Sequence, residues 1–452
     1  MRRNGPIGLI LISFLLVGAL YALLTPDWQA PDEPAHYNYI SQLADGTFPN
    51  IEPGDYDQEY QSRAISSGFD AQFSIEPFRY EDYQPPLYYL LLTPAFLAFG
   101  GSLEALRLTS LVLGAGIVLL TYLVAIRIFP DRRWLALIAA AFVAFLPQHV
   151  AMLASVNNDS LAELIIAGIL LLLLSIILSA KDGAAAENES EVASWKWLLL
   201  GILLGLGFLT KVTVYILVPV TALAMVWLYR GRWRSFWRAA LMVFGPALAI
   251  GLIWWIRNVV VYEALDPLGN LAHNQVVVGQ PRSVEWIDAY GFSYLVQNLV
   301  QTTFQSFWGQ FGWMGVPMPG WVYAPLVLFT LLICVGLVWL LIQRRNASGE
   351  MNDAGSSRSN LGLAAAVLIS LFLLSLLVYI GYNVTFVQHQ GRYLFPALIP
   401  ISLGVALGLA AVLTPFTERW PRLLYLLPIL LASALFALDL IALFRFIIPS
   451  LT

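Results

Sequence analysis

Cysteine is almost absent from this chain: Cys334 is the single one in 452 residues, and it sits in an apolar run. An intramolecular disulfide and any cysteine-based metal centre are therefore excluded. Charge is scarce as well. Asp, Glu, Lys and Arg make up 12% of the residues, about half the share of a soluble domain. Histidine occurs only at His36, His149, His273 and His389. A formal net charge of -4 gives no basic footprint for nucleic acid. What is present is apolar: 59% of residues are hydrophobic and the mean hydropathy is +0.73. This composition belongs to a multi-pass membrane protein.

Apolar runs of spanning length occur at about 7–24, 105–126, 134–149, 161–180, 197–212, 214–229, 239–256, 323–342, 361–381, 394–413 and 423–446. They predict an all-α polytopic protein of about 11 spans, one integral-membrane unit over residues 1–452. Arg2-Arg3 followed by Ile7–Leu24 also has the outline of a signal peptide. The run is long and no clear small-x-small site precedes Asp27, so it reads as an uncleaved anchor. Pro85–Phe99 is apolar but short, which suits an interfacial or re-entrant element.

Orientation follows from the basic residues. With the N-terminus cytoplasmic, 16 of the 24 Lys and Arg fall in cytoplasmic loops: Arg2, Arg3, Arg127, Arg132, Arg133, Lys181, Lys196, Arg230, Arg232, Arg234, Arg238, Arg344, Arg345, Arg358, Arg419 and Arg422. The cytoplasmic loops Lys181–Glu191 and Asn346–Asn360 read as polar linkers. All four histidines then lie on the outer face, with Asp32, Glu33, Asp159, Lys211, Arg257 and Arg392. Two long outer loops, about 25–104 and 257–322, have room to cover a substrate.

Pro31-Asp32-Glu33-Pro34-Ala35-His36 follows directly on the first span. Acidic residues at a membrane surface are costly to place and usually have a job. A carboxylate there can take a proton from an attacking hydroxyl, and the Asp32–Glu33 pair can hold a divalent cation such as Mg or Mn. Helix capping, with Glu33 as N-cap before Pro34, is the plainer reading. Asp159 opens the fourth span, where Ser160-x-x-Glu163 fits a capping box.

Lys211 ends the fifth span on the outer side, against the charge trend. It either snorkels or grips a phosphate. Trp254-Trp255-Ile256-Arg257 repeats the arrangement, with Arg257 a bidentate phosphate donor. Val387-Gln388-His389-Gln390-Gly391-Arg392-Tyr393 adds a third cation before the tenth span. Three cations at outer span ends, near carboxylates, suit an anionic lipid headgroup beside an acid–base site. Gln305–Gly315 is rich in aromatics, glycine and glutamine, as sugar-holding surfaces are; interface packing explains it equally well. Arg107 follows Glu104 by three residues and reads as an intrahelical pair.

Taken in order, PDEPAH (31–36), QPPLYY (84–89), Asn157-Asn158-Asp159, Leu209-Thr210-Lys211, Trp255-Ile256-Arg257-Asn258, Gly309-Gln310-Phe311-Gly312-Trp313 and Gln390-Gly391-Arg392-Tyr393 resemble the GT-C superfamily of polytopic glycosyltransferases. Within it, they resemble an uncharacterised bacterial branch. The resemblance implies a GT-C-like fold, with interfacial helices in the first outer loop and a donor in which a polyprenyl phosphate carries the sugar. It implies Asp32 as base or metal contact with Glu33 beside it, and Asp159 as a second acidic residue. It implies Lys211, and less directly Arg257 and Arg392, on the lipid phosphate. His36, His389, Gln390 and Tyr393 join the substrate-binding set. Relatives of this kind usually invert the anomeric centre. Some carry a large soluble C-terminal domain that is not seen here, which leaves acceptor recognition to the loops.

The expected activity is transfer of a hexosyl or pentosyl group to a hydroxyl on a glycan, lipid or protein. It would take place on the outer face of a bacterial plasma membrane and serve the cell envelope. A transporter or flippase of a lipid-linked glycan would bind the same kind of anionic lipid. It should carry polar residues at mid-span depth, and no internal repeat of the transporter kind is evident.

Overall fold

The computed structural model describes residues 5–180, 190–347 and 355–452. Arg2, Arg3, nearly all of the expected linker Lys181–Glu191 and the middle of Asn346–Asn360 lie outside them. The chain runs α1 (Gly5–Leu24), α2 (Glu33–Ala44), α3 (Gln58–Ser66), α4 (Leu87–Ala98), α5 (Leu103–Ile128), α6 (Arg133–Ala144), α7 (Pro147–Leu153) and α8 (Asp159–Ser179). It continues through α9 (Ser190–Phe208), α10 (Leu217–Leu228), α11 (Trp233–Val261), α12 (Asn270–Val276), α13 (Ser283–Tyr290) and α14 (Phe292–Trp308). A small antiparallel hairpin, β1 (Gln310–Phe311) and β2 (Val316–Pro317), precedes α15 (Gly320–Ala347), α16 (Gly355–Thr385), α17 (Leu398–Arg419), α18 (Leu423–Ile441) and α19 (Ile448–Leu451).

Backbone polarity explains the helices. In lipid every N–H and C=O must be paired within the protein, and an unbroken apolar run as long as Gly5–Leu24 has the length of a spanning helix, not of a barrel strand. Pro26 has no N–H, and α1 stops just before it. Among the described residues, α1, α5, α8, α11, α15, α16, α17 and α18 contain stretches long and apolar enough to cross a membrane. The run 134–149 is a bent pair of helices. Helices α6 and α7 meet at 63°, with extended Leu146 and then Pro147 opening α7. The runs 197–212 and 214–229 are shorter apolar helices, Ser194–Phe208 and Val212–Leu228. Among the described residues eight helices, or nine with the bent pair, are long and apolar enough to span, so the expected eleven are not all confirmed.

Small residues set the closest helix contacts, as in other membrane bundles. A Cβ on Gly336 of α15 would collide with the carbonyl of Gly408 in α17. One core runs through the bundle. A smaller one, holding Ala35, Ile51, Phe78 and Tyr80 with Val277, ties the 25–104 segment to the 257–322 segment. In the first segment α2, α3 and α4 are short helices. At 12 residues α4 is too short to span. The second segment clamps the first. Trp313 Nε1 donates to the Trp28 carbonyl at 2.9 Å, and the rings of Tyr83 and His273 lie 4.4 Å apart.

Candidate active site

The turn after α1 brings Asp32 forward in a left-handed conformation, φ 68°. That region costs a side-chain-bearing residue about 1–2 kcal/mol, though Asp tolerates it better than most. Asp32, not Glu33, occupies the N-cap position of α2, and Pro34 lies in the first turn. The Asp32 side chain makes no capping bond. Its Oδ2 accepts from Arg392 Nη2 at 2.7 Å, and its Oδ1 from the Tyr80 hydroxyl at 3.0 Å. Burial raises its carboxyl, but Arg392, His36 and the Tyr80 hydroxyl outweigh burial and hold it below the ordinary value.

Arg392 arrives on a 3₁₀ turn, Gly391–Ala397, packed against α14. Glycine is needed there, because a Cβ on Gly391 would collide with the Phe307 N–H and the Thr303 carbonyl. The Gly391 N–H donates to Ser306 Oγ at 2.7 Å. Arg392 Nε donates to Gln390 Oε1 at 2.7 Å, and its guanidinium lies 5.4 Å from the Tyr393 ring centre.

A second pair stands beside the first. Lys211 follows the end of α9, and its Nζ donates to Asp159 Oδ1 at 2.6 Å. Asp159 is the first residue of α8. Arg392 acts electrostatically on Asp159, and His36 lies within reach of both carboxylates and both cations. The C-terminal end of α1, the start of α8, the end of α9 and the turn before α17 thus meet at one end of the bundle. The tyrosines of the QPPLYY motif brace them. Tyr88 accepts from the Asn157 N–H at 2.9 Å, and Tyr89 bonds His36 Nδ1 at 2.9 Å and accepts from Asn158 Nδ2 at 3.3 Å. The Leu87 N–H donates to the Leu209 carbonyl at 2.8 Å, which joins that motif to the Lys211 turn.

Glu33 points the other way. Its carboxylate takes two bonds from Arg107, at 2.8 and 2.6 Å, and one from the Val156 N–H at 3.1 Å. Arg107 also caps the carbonyls of Ala22, Thr25 and Pro26. The expected Glu104–Arg107 pair gives way to this one, because Arg107 faces the bundle and not its own surface. Exposure separates the three ion pairs. The Glu33 and Arg107 side chains are 0% and 2% exposed, whereas Asp32 and Asp159 are 25% and 24% exposed. The Glu33–Arg107 pair is sealed from solvent, and the other two pairs are partly exposed.

Several other expected residues are placed differently. The Asp32–Glu33 metal pair is not formed, since the two carboxylates diverge to different arginines. Among the described residues no group of three or more His, Cys, Asp or Glu is arranged to hold a metal ion. Arg257 is spent elsewhere: it donates to the Pro49 carbonyl and to Asn258 Oδ1, and lies against Phe48, Trp254 and Tyr262. The expected capping box is absent, because Glu163 bonds His149 Nε2 at 3.0 Å and Ser160 donates to the Asn157 carbonyl. His36 is buried, which pulls it down to about 3, so it is neutral at physiological pH. His389 sits on Asn298 at 2.7 Å, its Nε2 buried and unbonded. Trp308 and Phe311 are in the core, so their rings serve packing.

Sequence reasoning missed Tyr80 and Glu81. Glu81 has a buried, unbonded Oε2 and feels the charges of Asp32, Lys211 and Arg392. Burial first, and Asp32 second, push it up to about 7. The available signal was the acidic pair Glu81-Asp82 lying just before QPPLYY, which is unremarked in a polar loop.

The fold has solved counterparts. ArnT from Cupriavidus metallidurans bound to undecaprenyl phosphate matches 99% of this chain and 74% of its own, with a TM-score of 0.51 and 12% identity. The Archaeoglobus fulgidus oligosaccharyltransferase in the apo form matches with a TM-score of 0.54 and 13% identity. Its complex with Zn and sulfate gives 0.52 and 14%. Those alignments cover 100% and 95% of this chain, which spans only 56% and 52% of the two oligosaccharyltransferase chains. At such identity the likeness is one of fold, and that fold is GT-C-like. A search of curated proteins finds no match in sequence. The model of the family described as "Predicted membrane protein (DUF2142)" matches residues 78–401, and the chain belongs to that family.

Proposed function

We propose that this protein is a glycosyltransferase that moves a sugar from a polyprenyl phosphate to a hydroxyl acceptor. The observation that carries the proposal is the double ion pair at one end of the bundle, Asp32–Arg392 beside Asp159–Lys211, partly open and otherwise enclosed. Each cation is held by a carboxylate and not by the backbone of a cap. A phosphate entering between them can take hydrogen bonds from both cations while the carboxylates stay next to the reacting carbon. Charge-assisted contacts to a leaving phosphate stabilise the charge that develops on it.

The chemistry is a single displacement. The acceptor oxygen bonds to the anomeric carbon from the face opposite the phosphate, and the bond from that carbon to the phosphate oxygen breaks. The electron pair leaves with the phosphate, the acceptor's O–H bond breaks and its proton passes to a carboxylate of the site, and the sugar inverts. Asp32 lies where it can orient the acceptor hydroxyl, and Tyr80 holds it there. Lys211 and Arg392 hold the departing phosphate. Gln390 and Tyr393 fix Arg392, and neutral His36 packs beneath. Arg257 and His389 contribute by keeping the covering segments in place.

Support for the lipid carrier comes from the likeness to a fold solved with undecaprenyl phosphate. Basic bias supports an extracytoplasmic site in the bacterial plasma membrane, with the N-terminus cytoplasmic. Nucleotide sugars are cytoplasmic, so an enzyme facing outward needs a lipid-borne donor. The acceptor would be a glycan, lipid or protein of the cell envelope. The test is purified full-length protein with a panel of polyprenyl-phosphate sugars, following release of free polyprenyl phosphate. Binding of those lipids without any release would replace transfer by transport.

A further inference from the structure

The open pairs raise a question about the proton. Asp32 carries an arginine and a tyrosine hydroxyl on its two oxygens, and Asp159 carries a lysine. A carboxylate so held is a stable anion and a weak base. Both are suited to orienting groups and holding charge, and poorly suited to taking a proton. Glu81 differs. Of Asp32, Asp159 and Glu81, Glu81 alone has no basic partner at hydrogen-bond distance among the described residues. Its Oε2 is shielded from solvent and bonded to nothing. The residue before it, Tyr80, is the one whose hydroxyl bonds Asp32.

We propose that Glu81 is the group that takes the acceptor's proton, and that Asp32 is a charged positioning group; this rests on the glycosyl-transfer reading above. The acceptor O–H bond breaks as its oxygen bonds to the anomeric carbon. The proton goes to Glu81 Oε2, and the electron pair of the old glycosidic bond leaves with the phosphate. Glu81 then loses its proton to solvent when product departs.

The surroundings tune Glu81 for this. The groups facing it are Asp32, Lys211 and Arg392 with Tyr80, Tyr83, Tyr89 and Tyr382, and Asp82 lies next to it in the chain. Burial and the Asp32 charge raise it to about 7, while Lys211, the Gln84 side chain and Arg392 limit the rise. A base poised near the operating pH gives the best compromise between being deprotonated and holding a proton. Above about pH 7 Glu81 is free to accept, so turnover should rise along an acid limb with its midpoint there.

The experiment uses the detergent-purified full-length protein and its Glu81→Gln, Glu81→Ala and Asp32→Asn variants, assayed across pH 5–9 with polyprenyl-phosphate sugars. Glu81→Gln should lower kcat by about 10²–10⁴, leave the donor KM near wild type and remove the acid limb. Glu81→Ala should regain turnover with added formate, which a structural role does not allow. Asp32→Asn should slow transfer while keeping the limb. Infrared difference titration should show a carboxyl band with midpoint near 7 in wild type, lost in Glu81→Gln. An acid limb that survives in Glu81→Gln, or vanishes only in Asp32→Asn, overturns the proposal, as does a wild type without that band. If no donor is turned over by wild type, the transfer reading falls first and this assignment falls with it. If wild type is active and Glu81→Gln matches it, only the assignment of the proton falls.

Discussion

Lys211 Nζ lies 2.6 Å from Asp159 Oδ1, and this one bond joins the end of α9 to the first residue of α8. A lysine that merely snorkelled would turn to open water. Here it is held by Asp159 beside a second cation, Arg392, as the proposed phosphate grip requires. Lys211→Ala should weaken donor binding or slow leaving-group departure by a factor of ten or more, the effect of losing one charge-assisted contact of about 1.5–3 kcal/mol. Lys211→Arg should recover part of it, since charge survives and donor geometry changes. Donor titrations on the three proteins decide this; identical curves would leave Lys211 only its structural ion pair with Asp159.

Glu33 should behave as a structural residue. Removing one partner from a buried pair leaves an uncompensated charge and costs about 3–5 kcal/mol. Glu33→Ala should therefore lower yield and thermal stability in detergent, and any surviving protein should transfer with near-normal kcat. A stable Glu33→Ala protein with no turnover would return Glu33 to the reaction.

Gly391→Ala tests how Arg392 is aimed. The added methyl meets the Phe307 N–H and the Thr303 carbonyl, so the turn must shift. Overpacking of this kind costs about 1–3 kcal/mol. Activity should fall more than stability, because Asp32–Arg392 is displaced while the core is intact. Parallel melting curves and turnover measurements separate the two, and wild-type turnover would show the site tolerates the shift.

Asp82 sets a pH dependence of stability. It is buried and, among the described residues, accepts only from Gln42 Nε2, at 2.8 Å, and burial pushes it up to about 8. Its folded pKa lies above the unfolded value of about 3.9, so the folded state binds the proton more tightly. That stabilisation is full at acid pH and is lost as pH rises towards about 8. Asp82→Asn should flatten the decline between pH 5 and 9 and melt higher than wild type at pH 9. A parallel decline in the variant would assign the pH dependence to other groups.

Topology has a direct test. In a Cys334→Ser background, a cysteine at Asn274 should label from outside and one at Ser235 only after permeabilisation. Outside labelling at Ser235 would move the whole site to the cytoplasmic face.

The sequence by itself determined where the helices lie. An unbroken apolar run as long as Gly5–Leu24 has the length of a spanning helix, not of a barrel strand, so period and length suffice. It also marked Asp32, Asp159, Lys211 and Arg392, because charge at the end of an apolar span is costly and stands out. It did not resolve the span count, since the bend at Leu146-Pro147 and the shortness of α10 depend on packing as much as on hydropathy. Nor could it choose partners. Asp32 and Arg392 are 360 residues apart, and Glu33 and Arg107 are drawn together across two helices. Adjacent Asp32 and Glu33 read alike as a string, yet a left-handed turn sends one towards the open pairs and the other into the core. Arg257 reads as well as Arg392 until the loops fold and give it to Pro49 and three aromatic rings. Glu81 reads as loop polarity until burial and a neighbouring charge change its chemistry. Those outcomes belong to tertiary structure, because an ion pair depends on distance and desolvation, and both are set by how segments far apart in sequence pack together.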